Sequence, residues 1–165
     1  MNKKYILALI FFLFITFLAA FLGNFFTVSS IPTWYASLNK PSFSPPNWLF
    51  GPAWTVLYVL MAVSAFLIWS SYAKATDGQA KKEIKTALTF YFIQLVFNAL
   101  WSVIFFGLKN PAWAFFEILI LWILILIITL KFYKIRKVAG FLFIPYILWV
   151  SFATILNFAV WQLNV

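Results

Sequence analysis

The chain has 165 residues, of which 65% are hydrophobic and only 9% charged. A soluble domain carries about 25% charged residues, so there is too little polar surface here to face water on all sides. Cysteine and histidine are both absent, which excludes disulfides, thiolate or imidazole metal sites, nucleophilic Ser-His or Cys-His pairs, and haem ligation by either residue. The formal charge of +9 sits in short basic clusters between apolar runs. That pattern is the signature of membrane topology and not of nucleic-acid binding.

About 20 apolar residues are needed to cross a hydrocarbon core of about 30 Å. Five stretches qualify in chain order, at about 5–26, 48–72, 84–106, 112–132 and 138–161. The first follows Lys3 and Lys4 and is longer than the hydrophobic region of a secretory leader, so it is read as a retained helix. The fold class is therefore an all-α integral membrane protein, a bundle of five transmembrane helices forming one domain over 1–165. Ten basic residues fall on the N-terminal side of the spans, and only Lys40 and Lys109 on the other. The cell membrane is the expected location, with the N-terminus cytoplasmic and the C-terminus outside. The segment from Lys74 to Lys85, with Asp77, Gly78 and Gln79, reads as a solvated connector.

Depth follows from a rise of about 1.5 Å per residue. Trp54 and Tyr58 lie about 9 and 15 Å inside the second span, and Asn98, Trp101 and Ser102 lie within about 12 Å of the outer end of the third. Glu117 lies about 7 Å inside the fourth, and Trp149, Ala153 and Asn157 lie about 6 to 18 Å inside the fifth. Polar and large aromatic positions of four spans thus share the outer half, whereas the inner half reads as nearly pure Leu, Ile, Val and Phe. Such polar groups in a span either join helices or face a cavity. Trp54 with Tyr58, Asn98 with Ser102, and Trp149, Ala153 and Asn157 each share a helix face at i,i+4 spacing. Small Ala153 leaves room for a flat ligand. Glu117 either bonds a neighbouring helix or lines the pocket. Trp48, Trp69, Trp113 and Trp161 sit at span ends as interfacial anchors. Above the slab lies a connection of about 27–47, which Pro32, Pro41, Pro45 and Pro46 stiffen into a lid.

Several segments carry a resemblance. They are Trp34-Tyr35-x-x-Leu38-x-Lys40-Pro41, Pro45-Pro46, Phe50-Gly51-Pro52-Ala53-Trp54-Thr55-x-Leu57-Tyr58, Asn98-x-x-Trp101-Ser102, and Pro145-Tyr146-x-x-Trp149 with Phe152-Ala153 and Asn157. Together they resemble the TspO family, the tryptophan-rich sensory proteins of bacteria, similar to the mitochondrial translocator protein or peripheral benzodiazepine receptor. The likeness covers nearly the whole chain. It implies a homodimeric bundle that binds tetrapyrroles such as protoporphyrin IX and haem as ligands, with no required cofactor and no metal. The implied pocket residues are Trp34, Phe50, Trp54, Tyr58, Asn98, Trp101, Trp149 and Ala153. Lys40 is the cation nearest to a ligand's carboxylates.

The implied role is sensory or stress-related. An alternative is a light- and oxygen-dependent catalyst of porphyrin breakdown resting on Trp34, Trp54 and Trp149. A further alternative, a porphyrin or sterol transporter, finds no inverted repeat in the sequence. Two departures from the family pattern stand out. Phe43 occupies a position that is usually Trp, and no C-terminal cholesterol-recognition segment of the animal kind follows the last span.

Overall fold

In a computed structural model of the chain, residues 3–165 are described, and five of the helices among them are long and apolar enough to cross a membrane. These are α1 (Lys3–Ser30), α3 (Asn47–Lys74), α4 (Gly78–Ser102), α5 (Pro111–Ile135) and α6 (Lys137–Leu163). A single turn, α2 (Trp34–Ser37), lies in the lid, and α4 continues into a wide π-helical turn over Val103–Gly107. All five sequence-derived spans are present, each longer than its hydrophobic stretch.

Local chemistry explains the extra turns. α1 runs to Ser30 because nothing breaks it before Pro32, which disfavours a helical conformation at Ile31. The lid is accordingly shorter than expected and begins with residue 31. α4 starts at Gly78, where the Asp77 carboxylate accepts from the Ala80 N–H at 2.7 Å as a helix cap. Most of the expected connector is therefore helix. Asn110 caps α5 in the same way, accepting from Trp113 N–H at 3.1 Å, with Pro111 in the first helical position.

The long helices form a ring in which α1 contacts α3, α3 contacts α6, α6 contacts α5, α5 contacts α4, and α4 returns to α1. The α5–α6 hairpin is the tightest joint. Only Arg136 between them leaves helical geometry, and its guanidinium donates to Ser70 Oγ at 3.1 Å. At Gly140 an added Cβ would lie 2.5 Å from Tyr133 Cβ and 2.6 Å from its Cα, so only glycine lets α6 approach α5 there. The core centres on Met61, Ile68, Tyr91, Ile125, Phe132, Phe143 and Tyr146, all fully buried. α1 is peripheral by contrast, with only Phe12, Thr16, Gly23 and Ser30 buried.

The half of the bundle away from the lid, expected to be nearly pure Leu, Ile, Val and Phe, also carries hydrogen bonds between helices. Thr16 and Tyr91 share a hydrogen bond between α1 and α4, and Ser64 Oγ donates to the Ala139 carbonyl at 2.8 Å. Hydropathy averaged over a span is dominated by the apolar neighbours and so conceals these isolated hydroxyls.

Replacing Gly140 by Ala forces the hairpin apart against backbone and not against a movable side chain. The expected cost is about 1–3 kcal/mol, an overpacking penalty. It should appear as a lowered unfolding midpoint of the purified protein in detergent, with no comparable effect of Ala at Gly78, where an added Cβ meets nothing within 4 Å.

Candidate functional site

A cavity of about 710 Å3 lies between α1, α3, α4 and α6 beneath the lid. That volume falls within the range of about 300–1,000 Å3 typical of ligand pockets. Seven of the eight expected residues line it: Phe50, Trp54, Tyr58, Asn98, Trp101, Trp149 and Ala153. Trp34 is not among the lining residues. It packs edge-on against Phe105 at 5.6 Å and Phe106 at 6.5 Å, and its neighbour Tyr35 faces the cavity in its place. Successive residues of a helical turn point about 100° apart, so a motif containing both could not say which one faces inward.

The walls are flat aromatic surfaces. Trp54 and Tyr58 stack at 5.3 Å and 28°, as i,i+4 neighbours on α3 can. Trp101 stacks on Phe105 at 5.0 Å and 22°. The π turn carries Phe105 and Phe106 into the lid-end core beside Trp101; π turns of this kind occur often at functional sites. Trp149 meets Phe50 edge-on at 6.2 Å, and Ala153, one turn further along α6, leaves the wall low beside it.

The deep end is a chain of hydrogen bonds. Tyr58 donates to Asn98 Oδ1 at 2.7 Å, Asn98 Nδ2 donates to the Tyr146 hydroxyl at 2.9 Å, and Tyr146 donates to Gln94 Oε1 at 3.0 Å. Nearby, the Trp101 indole N–H donates to Asn157 Oδ1 at 3.0 Å, and Asn157 Nδ2 donates to the Pro111 carbonyl at 2.7 Å. The two asparagines therefore join helices and line the cavity at once. By contrast, the indole N–H groups of Trp54 and Trp149 make no hydrogen bond among the described residues.

The roof is fastened. Asn39 N–H donates to Asn164 Oδ1 at 3.0 Å, Asn164 Nδ2 returns a bond to the Asn39 carbonyl at 2.9 Å, and Asn39 Nδ2 reaches the Leu163 carbonyl at 3.3 Å. Lys40, expected near a ligand's carboxylates, is instead part of the lid's own fold. Its ammonium donates to the Tyr35 carbonyl at 2.7 Å, lies 4.7 Å over the Tyr35 ring, and is not among the lining groups. Burial pushes the Tyr35 hydroxyl above the usual phenol range, with a hydrogen bond from Ser44 acting in the opposite direction.

Two placements differ from the sequence-derived slab. No residue of α5 lines the cavity, and Glu117, buried at 6% exposure, has no hydrogen-bond partner on either carboxyl oxygen among the described residues. It neither lines the pocket nor bonds a neighbouring helix. In its place α1 supplies a wall with Phe17, Ala20, Phe21, Asn24, Thr27 and Val28. Asn24, the one amide in the first span, was the sequence signal for that contribution.

An all-helical membrane protein with an aromatic, ligand-sized cavity under one end is the class these features define. Residues 11–162 match the TspO/MBR family, and the chain belongs to it. It is 42% identical to the tryptophan-rich protein TspO of Archaeoglobus fulgidus over 87% of this chain and 88% of that one. With the tryptophan-rich sensory protein of Cereibacter sphaeroides it shares 39% identity over 92% and 91% of the two chains. With the human translocator protein it shares 35% identity over 89% and 84%.

The two kinds of buried polar group make opposite predictions. Glu117→Leu removes a partnerless carboxyl and should raise the unfolding midpoint in detergent. Asn98→Leu leaves the Tyr58 hydroxyl without its acceptor and the Tyr146 hydroxyl without its donor, and should cost about 1–3 kcal/mol, the penalty for orphaning buried hydrogen-bonding groups. A calorimetric or fluorescence melt of both variants checks the pair.

Proposed function

We propose that the cavity binds a tetrapyrrole, of which protoporphyrin IX and haem are the type ligands, and that the bound state serves a sensory or regulatory role in the cell membrane. The observation that carries this reading is the set of flat faces presented by Trp54, Tyr58, Trp101 and Trp149 in one cavity of about 710 Å3. A macrocycle is flat and apolar over most of its area, and each aromatic contact adds about 0.5–1.5 kcal/mol beyond burial. The chain has no histidine or cysteine, so haem is held by shape and stacking and not by axial ligation from either residue. The free indole N–H groups of Trp54 and Trp149 are available to the ligand's carboxylates, whereas Lys40 is committed to the lid. In this reading the basic end of the bundle is cytoplasmic, the lid lies outside, and a second copy of the chain completes a homodimer.

Titrating purified protein with protoporphyrin IX should quench tryptophan emission saturably. Ala153→Phe fills the low part of the wall and should weaken binding by at least about tenfold, because a well-packed site does not accept extra volume. Unchanged emission at saturating porphyrin would overturn the reading.

A second reading, breakdown of bound porphyrin by light and dioxygen, is favoured by the position of two of the three tryptophans named for it. Trp54 and Trp149 line the cavity and Trp34 does not. Under illumination in air, loss of the porphyrin absorbance should slow for Trp54→Phe or Trp149→Phe and stay unchanged for Trp34→Phe. A rate equal to that of porphyrin in protein-free detergent would exclude catalysis.

A further inference from the structure

We infer that the cavity exchanges its ligand sideways, through a gap between α1 and α3 that opens onto the bilayer leaflet at the lid end, and not through the lid. The inference rests on the ligand-binding role proposed for the cavity and adds its entrance. Three observations carry it.

The roof is the bonded side. Three hydrogen bonds between Asn39 and the end of α6 hold the lid, Tyr35 is only 4% exposed, and Phe43 packs edge-on against Phe152 at 6.4 Å. Opening that side means breaking all of these contacts together.

Exposure of the lining residues divides by helix. On the wall made by α4 and α6, Asn98, Phe105, Asn157 and Val160 are buried. On the facing edge, Phe21 and Val28 of α1 are 66% and 61% exposed, and Trp48 of α3 is 72% exposed. Gly51, also in the lining, is exposed, and a Cβ added there would meet nothing within 4 Å. Among the described residues, the exposed lining groups thus lie along one seam, on α1 and α3, beside the long helix with the fewest buried residues.

The third observation is chemical. Asn24 lies about 9 Å below the lid end of α1 by helical rise. It is exposed, lines the cavity and has no hydrogen-bond partner among the described residues. An unpaired carboxamide facing hydrocarbon is costly and marks a route for polar groups. Its neighbours do not share that role: Thr27 and Thr55 turn their hydroxyls back to the carbonyls of Gly23 and Gly51. The seam therefore offers an apolar slot with one free amide at its edge. That suits a flat amphiphile already dissolved in the leaflet, with its hydrogen-bonding groups toward the interface.

The test is stopped-flow quenching of tryptophan emission by protoporphyrin IX, with the full chain in phosphatidylcholine nanodiscs. Gly51→Trp narrows the seam and should slow association by about tenfold or more, and dissociation with it, the behaviour of a gate. Val28→Trp, on the opposite edge, should do the same and covers the case in which the Gly51 variant fails to fold. Asn39→Ala combined with Asn164→Ala releases the lid and should leave both rates within about twofold. Faster exchange in the lid variant, with no change in the seam variants, would overturn the side entrance. Weaker binding of the seam variants at an unchanged association rate would overturn it too. Absence of saturable quenching in the unmodified protein would instead remove the tetrapyrrole reading on which the inference stands.

Discussion

Hydrocarbon offers a polar side chain no hydrogen-bond partner, so an amide or hydroxyl in the bundle demands one within the protein or at a water-filled space, and costs free energy where it lacks one. Asn98 meets that demand from both ends of its carboxamide, with Tyr58 of α3 on one side and Tyr146 of α6 on the other. One residue of α4 thereby sets the separation of three helices. Single bonds of this kind contribute only about 0.6 kcal/mol on average in membranes, so no one of them decides the fold. Their joint effect is geometric. The chain running on to Gln94 closes the deep end of the space between α3, α4 and α6, and the second asparagine, Asn157, ties α6 to Trp101 and to the start of α5. The cavity begins where these pairings stop.

The remaining helices flank that space in different ways. α5 is clamped to α6 by the close approach at Gly140 and by the Trp122 indole donating to Ser151 at 2.7 Å, and it gives nothing to the lining. It is a buttress. α1 contributes much of the lining but rests on α3 and α4 through a narrow seam of small or hydroxylated residues plus Phe12. Gly23 lets it come close to α4, where an added Cβ would lie 3.1 Å from Ser102 Oγ. The bundle thus has a rigid back and a lightly held front.

Much of this was legible in the sequence, for identifiable reasons. Hydropathy finds spans because the membrane imposes their length and composition, and helical spacing placed Trp54 beside Tyr58 and Trp149 beside Ala153. Three features were hidden. The lining face of α1 is apolar like its lipid-facing side, so periodicity could not separate the two, and only Asn24 broke the pattern. Glu117 shares a depth with Asn157 but sits on a helix that faces away from the cavity, and depth alone carries no azimuth. The π turn at Val103–Gly107 rotates everything after it by one extra residue, which ordinary 3.6-residue spacing does not foresee. The choice of Tyr35 over Trp34 is the same lesson at smaller scale.

The bonds between Asn39 and Asn164 join residues 125 positions apart. A chain inserted during synthesis gains its N-terminal contacts first. The lid is written early, between the first two spans; Trp34 and Tyr35 pack on Phe105 and Phe106 of the third, but its hydrogen bonds to the end of α6 wait for the last turn of the last helix. Hydrogen-bonded closure of the roof therefore requires the end of α6, and a bundle without α6 seated lacks these three bonds. The same geometry makes the fastened lid a report that all five helices have arrived.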